Sequence, residues 1–314
     1  MLALPEIGVG ASTAKRVHPC DVVVICDWIE GSLLFDSSPL SKSDICDVLE
    51  EQAIYQDQAI AMQFLDVVWL RMERRAQWLG DACSYEIQGR RISRRGTWQE
   101  FLPNSYLLML SFVEYYAILR PKTKKGDKNV YIEQGKTFEV FCHEALRKIG
   151  WDSLVTGWSS GAGAKKLPQV VDLIANTLSE GAINKSIVGT YAASNEEGCD
   201  LVCHRPFPDK RGGRPVYLVQ CASGIGWQKK CHTPDMELWA KFIAFSQRPQ
   251  RAFCLPKALE DDAFIRSAHR INGMVVDRYR LLHESKKNAT WMSGPLVADI
   301  TKWVNSKRAK LPQL

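Results

Sequence analysis

Two short segments decide the fold: Cys199-Asp200-Leu201-Val202-Cys203 and Val216-Tyr217-Leu218-Val219-Gln220-Cys221. Both are aliphatic and β-branched, and both read as buried strands. Between them, Pro206, Pro208, Gly212, Gly213 and Pro215 leave a turn or loop and no regular structure. Neighbouring antiparallel strands joined in this way bring Asp200 and Gln220 within a few ångströms of each other. An amide inside an apolar strand costs about 1–3 kcal/mol unless it is paired. Gln220 therefore needs a polar neighbour, either a site partner or a backbone group.

Upstream, Phe138, Phe141, Cys142, Ala145 and Leu146 recur at helical spacing over Gly135–Lys148. A Gly-rich loop follows at Gly157–Gly163, then a helix over Leu167–Ser179 and a candidate strand over Ser186–Ala192. Downstream, a helix is expected from Pro234 with Thr233 as its cap. A strand follows at Arg251–Leu255, stopped by Pro256, and then helices at Ala258–Ala268 and Pro295–Lys307. The first third reads as mostly helical. Helices are expected over 41–51, over Gln56–Leu79 with Ile60, Phe64, Val67, Val68 and Leu70 on the apolar face, and over Tyr106–Leu119. A small hairpin turns at Gly89. Pro121–Asn129 is polar and charged, as a linker is. The expected organisation is a helical domain at 1–125 for recognition or assembly, then an α/β domain at 126–314.

Helix, loop, strand with Asp, hairpin loop, strand with an amide, helix is also the order of the PD-(D/E)XK nuclease core. Over roughly residues 131–256 the chain resembles that restriction-endonuclease-like superfamily. The segment Gly135–Leu146 is similar to its first core helix, which implies that Glu139 faces a metal. The segment Asn195–Val202 is similar to the strand with the central Asp, here Asp200. The segment Val216–Ser223 looks like the strand of the acid-or-Gln, x, Lys element, with Gln220 in the first place. The resemblance implies a mixed sheet flanked by helices and an endonuclease. Mg²⁺ or Mn²⁺, held by Asp200, Gln220 and Glu139, would neutralise the phosphate and activate a water. The motif lysine is missing, because its position holds Ala222. Lys229 and Lys230 follow, and a lysine displaced onto the next segment can return its ammonium to the same place, with Lys230 favoured over Lys229. The alternative is a catalytically inactive nucleic-acid-binding or assembly subunit that keeps the fold. Glu133, Glu144, Glu196 and Glu197 are weaker candidates, read as surface charges. The implied substrate is nucleic acid, DNA first. By analogy, the setting is prokaryotic antiviral defence, with a partner protein or a homo-oligomer.

Other signals narrow the classes. Lys plus Arg, 41, exceeds Asp plus Glu, 35, by 6, an excess that permits nucleic acid without requiring it. Arg90, Arg91, Arg94 and Arg95, followed by Trp98, could grip a nucleic-acid backbone, as could Lys165 and Lys166 beside the Gly-rich loop. That loop does not fit the phosphate-loop spacing, which argues against an ATPase. Cys199, Cys203, His204, Cys231 and His232 fit no zinc-finger spacing. The ten cysteines form no Cys-x-x-Cys pair and lie in apolar runs, as reduced thiols do. With no signal core and no apolar run long enough for a bilayer, the expected location is cytoplasmic, away from membranes.

Overall fold

The computed structural model describes residues 1–10, 18–36, 38–120, 129–156, 166–181, 183–192 and 197–314, with backbone alone for 129–132. The linker at 121–128, Gly157–Gly163 with Lys165, and Glu196 lie outside the described residues, and so does the expected domain boundary. The first half holds α1 (Val22–Phe35), β1 (Leu40–Ser41), α2 (Lys42–Glu51), α3 (Gln58–Leu79), β2 (Tyr85–Gln88), β3 (Arg91–Arg94) and α4 (Leu102–Tyr115). Then come α5 (Asn129–Lys148), β4 (Asp152–Val155), α6 (Leu167–Leu178), α7 (Lys185–Thr190), β5 (Leu201–His204) and β6 (Val216–Cys221). The chain ends with α8 (Met236–Phe242), β7 (Gln250–Cys254), α9 (Asp261–Ile271), β8 (Met274–Val276), α10 (Arg278–Leu281) and α11 (Gly294–Arg308). No helix among the described residues is long and apolar enough to cross a membrane.

Local chemistry sets several of these ends. Ser41 and Asp44 form a capping box at α2, and Asp57 caps α3. Three readings change. Ser186–Ala192 falls mostly in helix α7, because the Asn184 side chain accepts from the Ile187 N–H and starts a helical turn. The cap of α8 is Asp235, not Thr233, whose hydroxyl is engaged elsewhere. The buried face of α3 carries Ala61, Phe64, Leu65, Val68, Trp69 and Met72, while Ile60, Val67 and Leu70 are exposed.

The α/β class is as expected: a three-stranded antiparallel sheet ordered β1-β3-β2 and a five-stranded mixed sheet ordered β4-β5-β6-β7-β8. In the larger sheet β4, β5 and β6 are antiparallel, and β7 and β8 run parallel to β6. Side chains alternate across β6. Val216 and Leu218 face a core with α6 and α8, and Val219 and Cys221 face a core shared with α5. That second core also takes in α1, α3 and α4, so both halves of the chain share it.

A polar cluster lies inside the shared core. Arg278 on α10 donates to Glu30 at 2.6 Å, to Asp27 at 3.2 Å and to Asn104 at 2.8 and 3.0 Å. Arg75 donates to Asp27 at 2.6 Å, and the Tyr115 hydroxyl to the same carboxylate at 2.8 Å. Both arginines and both acids are at most 1% exposed. Removing one partner leaves a buried charge uncompensated, so Arg278→Ala is expected to lower unfolding free energy by about 3–5 kcal/mol in urea titration.

Asp277 caps α10 by accepting from the Arg280 N–H, and burial pushes its carboxyl up to about 6 from an ordinary 3.8. Between those values the folded chain binds more protons than the unfolded one. Stability therefore falls as pH rises from about 4 to about 6 and then levels, by on the order of 3 kcal/mol at most. The wild-type minus Asp277→Asn difference in unfolding free energy should fall across that window.

Candidate active site

The antiparallel register that pairs Leu201 with Val219 makes Asp200 and Gln220 cross-strand neighbours. Their side chains meet. The Gln220 Nε2 donates to Asp200 Oδ2, and the Cys221 N–H donates to the same oxygen at 2.6 Å. The Asp200 N–H donates to the Val219 carbonyl at 2.9 Å, and the Asp200 carbonyl accepts from the Thr156 N–H at 3.0 Å. Asp200 is 4% exposed and Gln220 3%. Solvent begins close by: Gly198 is half-buried, and Gly224, Ile225 and Gly226 are exposed.

One detail departs from expectation. The Gln220 carbonyl oxygen does not face the same space as Asp200. It accepts from the Thr233 hydroxyl at 2.9 Å, while the amide nitrogen turns to the carboxylate. The reason is electrostatic. An amide oxygen beside a carboxylate oxygen repels it unless a cation lies between them, whereas the amide N–H donates to it. A half-turn of the amide exchanges the two atoms and would present an oxygen beside Asp200.

Glu139, 5% exposed on α5, stands one turn before Cys142, which adjoins Cys221, the residue after Gln220. Of the three expected oxygen donors, Asp200 and Gln220 are in direct contact, while Glu139 lies on the α5 side of the sheet, the face that Cys221 presents and Gln220 does not. The missing lysine has a local cause. Ala222 is packed with Trp227, Cys231, Phe253 and Leu255, an apolar pocket that would strip water from an ammonium. The one-turn 3₁₀ helix Trp227–Lys230 lies against the same pocket through Trp227 and Cys231. Lys229 and Lys230 are exposed on this turn. The Lys230 carbonyl accepts from the Thr233 N–H at 3.0 Å and lies 2.7 Å from the hydroxyl, whose single proton is shared between it and the Gln220 oxygen, so the turn is tied to the site.

The other expected residues are dispersed. Arg90, Arg91, Arg94 and Arg95 are exposed around the β2–β3 hairpin. Arg95 bonds the Gly80 and Cys83 carbonyls. Trp98 is buried, so it offers no stacking face to a base. Lys166 is exposed at the start of α6, the helix whose apolar face packs on the larger sheet. Glu144 accepts from the Ser293 N–H and hydroxyl, both at 2.6 Å, and serves the start of α11. Glu197 has φ +46° just before Gly198, and Glu133 borders a groove between α5 and α11.

Sequence reasoning missed Thr233 as a site member, taking it for a helix cap. It also missed a second cluster. The Sγ atoms of Cys142, Cys221 and Cys254 lie within 4.8 Å of one another. The neighbouring Cys142 and Cys221 thiols hold the Cys254 thiol below its ordinary range. Burial pushes the other two thiols up. Cys199, Cys203, His204, Cys231 and His232, the set weighed for zinc, form no such group among the described residues.

Comparison with family models, with curated proteins and with solved structures finds no match to this chain.

Thr233→Val is expected to cost about 1–3 kcal/mol, because it leaves the buried Gln220 oxygen without its donor. Thr233→Ser should recover most of the loss in the same thermal or urea melts.

Proposed function

We propose that the chain is a metal-dependent phosphodiester hydrolase acting on nucleic acid, with DNA as its first substrate. The observation that carries this reading is the Asp200–Gln220 cross-strand pair, tied through Thr233 to a turn bearing two lysines. The strand directions support it too: the mixed sheet places the acid and the amide on adjacent antiparallel strands, followed by a helix and a parallel strand. This is the arrangement that the resemblance to PD-(D/E)XK nucleases implies.

The donor set fits a hard cation. Mg²⁺ prefers oxygen, keeps several waters and commonly takes only one or two protein carboxylates plus substrate phosphate. Asp200 would anchor it, Gln220 would offer its carbonyl oxygen after a half-turn, and Glu139 would approach from α5. When bound, the cation supplies charge neutralisation at the phosphate and a more acidic water. The chain's own residues do the rest. The Cys221 N–H fixes the Asp200 carboxylate. Thr233 holds Gln220 until the amide turns, and Lys230 or Lys229 stabilises the charge that develops on the phosphate.

A second reading keeps the binding and drops the chemistry, and the apolar pocket around Ala222 favours it. Plasmid cleavage by the full chain with Mg²⁺ or Mn²⁺ separates the two. Under the first reading, Asp200→Ala abolishes cleavage and the Lys229→Ala/Lys230→Ala pair slows it by about 10²–10³-fold. DNA binding that survives in a chain with no cleavage at any metal concentration would support the second. Equal cleavage by wild type and Asp200→Ala would remove Asp200 from the site.

A further inference from the structure

Seven of the ten cysteines are accounted for as buried, apolar or carbonyl-bonded thiols. Cys26 donates to the Val68 carbonyl, Cys83 to that of Tyr85 and Cys199 to that of Leu201. Such thiols behave as small hydrophobes with a weak donor. Cys142, Cys221 and Cys254 are different. They come from α5, β6 and β7, and their sulfur atoms lie within 4.8 Å of one another. Cys221 and Cys254 stand opposite each other at the ends of two parallel strands, and Cys142 reaches them from the helix that covers that face. Among the described residues, no other group of three metal-ligating His, Cys, Asp or Glu side chains converges as closely.

We propose that Cys142, Cys221 and Cys254 form a three-sulfur site for a monovalent thiophilic cation, copper(I), inside the core behind the Asp200–Gln220 pair. Three elements of the structure lead to this ion. Sulfur donors select soft ions, which sets the site apart from the oxygen donors of Asp200 and Gln220. Structural zinc is almost always four-coordinate, and no fourth Cys, His, Asp or Glu belongs to this cluster among the described residues. Water is no ready substitute, because Cys142 and Cys254 are fully buried and Cys221 nearly so. Copper(I), a closed-shell ion, is satisfied by three sulfurs. One Cu⁺ replaces one thiol proton, which leaves to solvent, so the site stays neutral: one sulfur binds as thiolate and the other two as thiols through their lone pairs.

The site would act as a clamp. Cys142 lies three residues after Glu139, and Cys221 follows Gln220 directly, so a shared ion would fix α5 against β6 and β7. The proposal stands independently of whether Asp200 supports cleavage.

The test uses the full reduced chain under anaerobic conditions, offered copper(I) held by bicinchoninate, both folded and during refolding from urea. Metal per desalted chain is read by mass spectrometry and the ligands by X-ray absorption. The expected result is about one copper per chain with sulfur ligands only, lost in Cys221→Ala and in Cys142→Ala. Cys231→Ala, buried outside the triad, should retain it. Near-UV circular dichroism shows which variants fold, and the helix-side and strand-side variants report on the same site separately. Absence of copper from the wild type in both conditions would overturn the proposal. So would equal uptake by the folded triad variants. Stoichiometric zinc(II) with the same cysteine dependence and no copper would overturn the choice of ion.

Discussion

Two arginines and two carboxylates, all but removed from water, can coexist in the core only if none is left alone. Arg75, Arg278, Asp27 and Glu30 meet that condition through one another and through Asn104, Ser84 and Tyr115. Each ion would cost several kcal/mol to bury by itself. The set therefore pins α1, α3 and α4 to α10, and α10 directly follows the last strand of the mixed sheet. Surface pairs such as Arg74–Asp261 and the contact between Lys257 and Glu114 cross the same boundary. Together with the shared apolar core, these contacts join the first half of the chain to the sheet that carries Asp200.

Much of the site's framework was legible because strand chemistry is local. The aliphatic runs around Asp200 and Gln220, separated by a proline- and glycine-rich stretch, could form little else, and the cross-strand pairing follows from them. Helix α1 was not legible, since every residue from Val24 to Phe35 is buried and no polar face marks a period. Its acids, Asp27 and Glu30, are half of the ion network, and nothing in their spacing announces it. In α3, apolar residues lie on both faces, so spacing alone picked Ile60, Val67 and Leu70, which are exposed. Thr233 read as a cap because it precedes Pro234, and Asp235 was free to cap α8 instead. The thiol cluster unites a helix and two strands distant in the chain, and no spacing rule announces such a meeting.

Gln220 gives the site a property that a glutamate there would lack. Two carboxylates at this separation would repel, and one would have to take up a proton or await a cation. An amide both donates and accepts, so it satisfies Asp200 on one side and Thr233 on the other. The row is electrostatically complete as the chain folds, and only a rotation of one side chain separates that state from one offering two oxygens. Packing, in the form of the apolar pocket around Ala222, moves the positive charge off the strand and onto the neighbouring turn.

The shared core also bears on how such a chain can change over generations. Proteins whose halves have separate cores can trade one half for another by recombination and keep folding. Here a foreign first half would arrive without Asp27 and Glu30, and Arg278 would remain in the interior with nothing to neutralise it. The two halves must be inherited together. New binding preferences would then arise by gradual substitution on exposed segments such as the Arg90–Arg95 hairpin, where a change disturbs no buried charge.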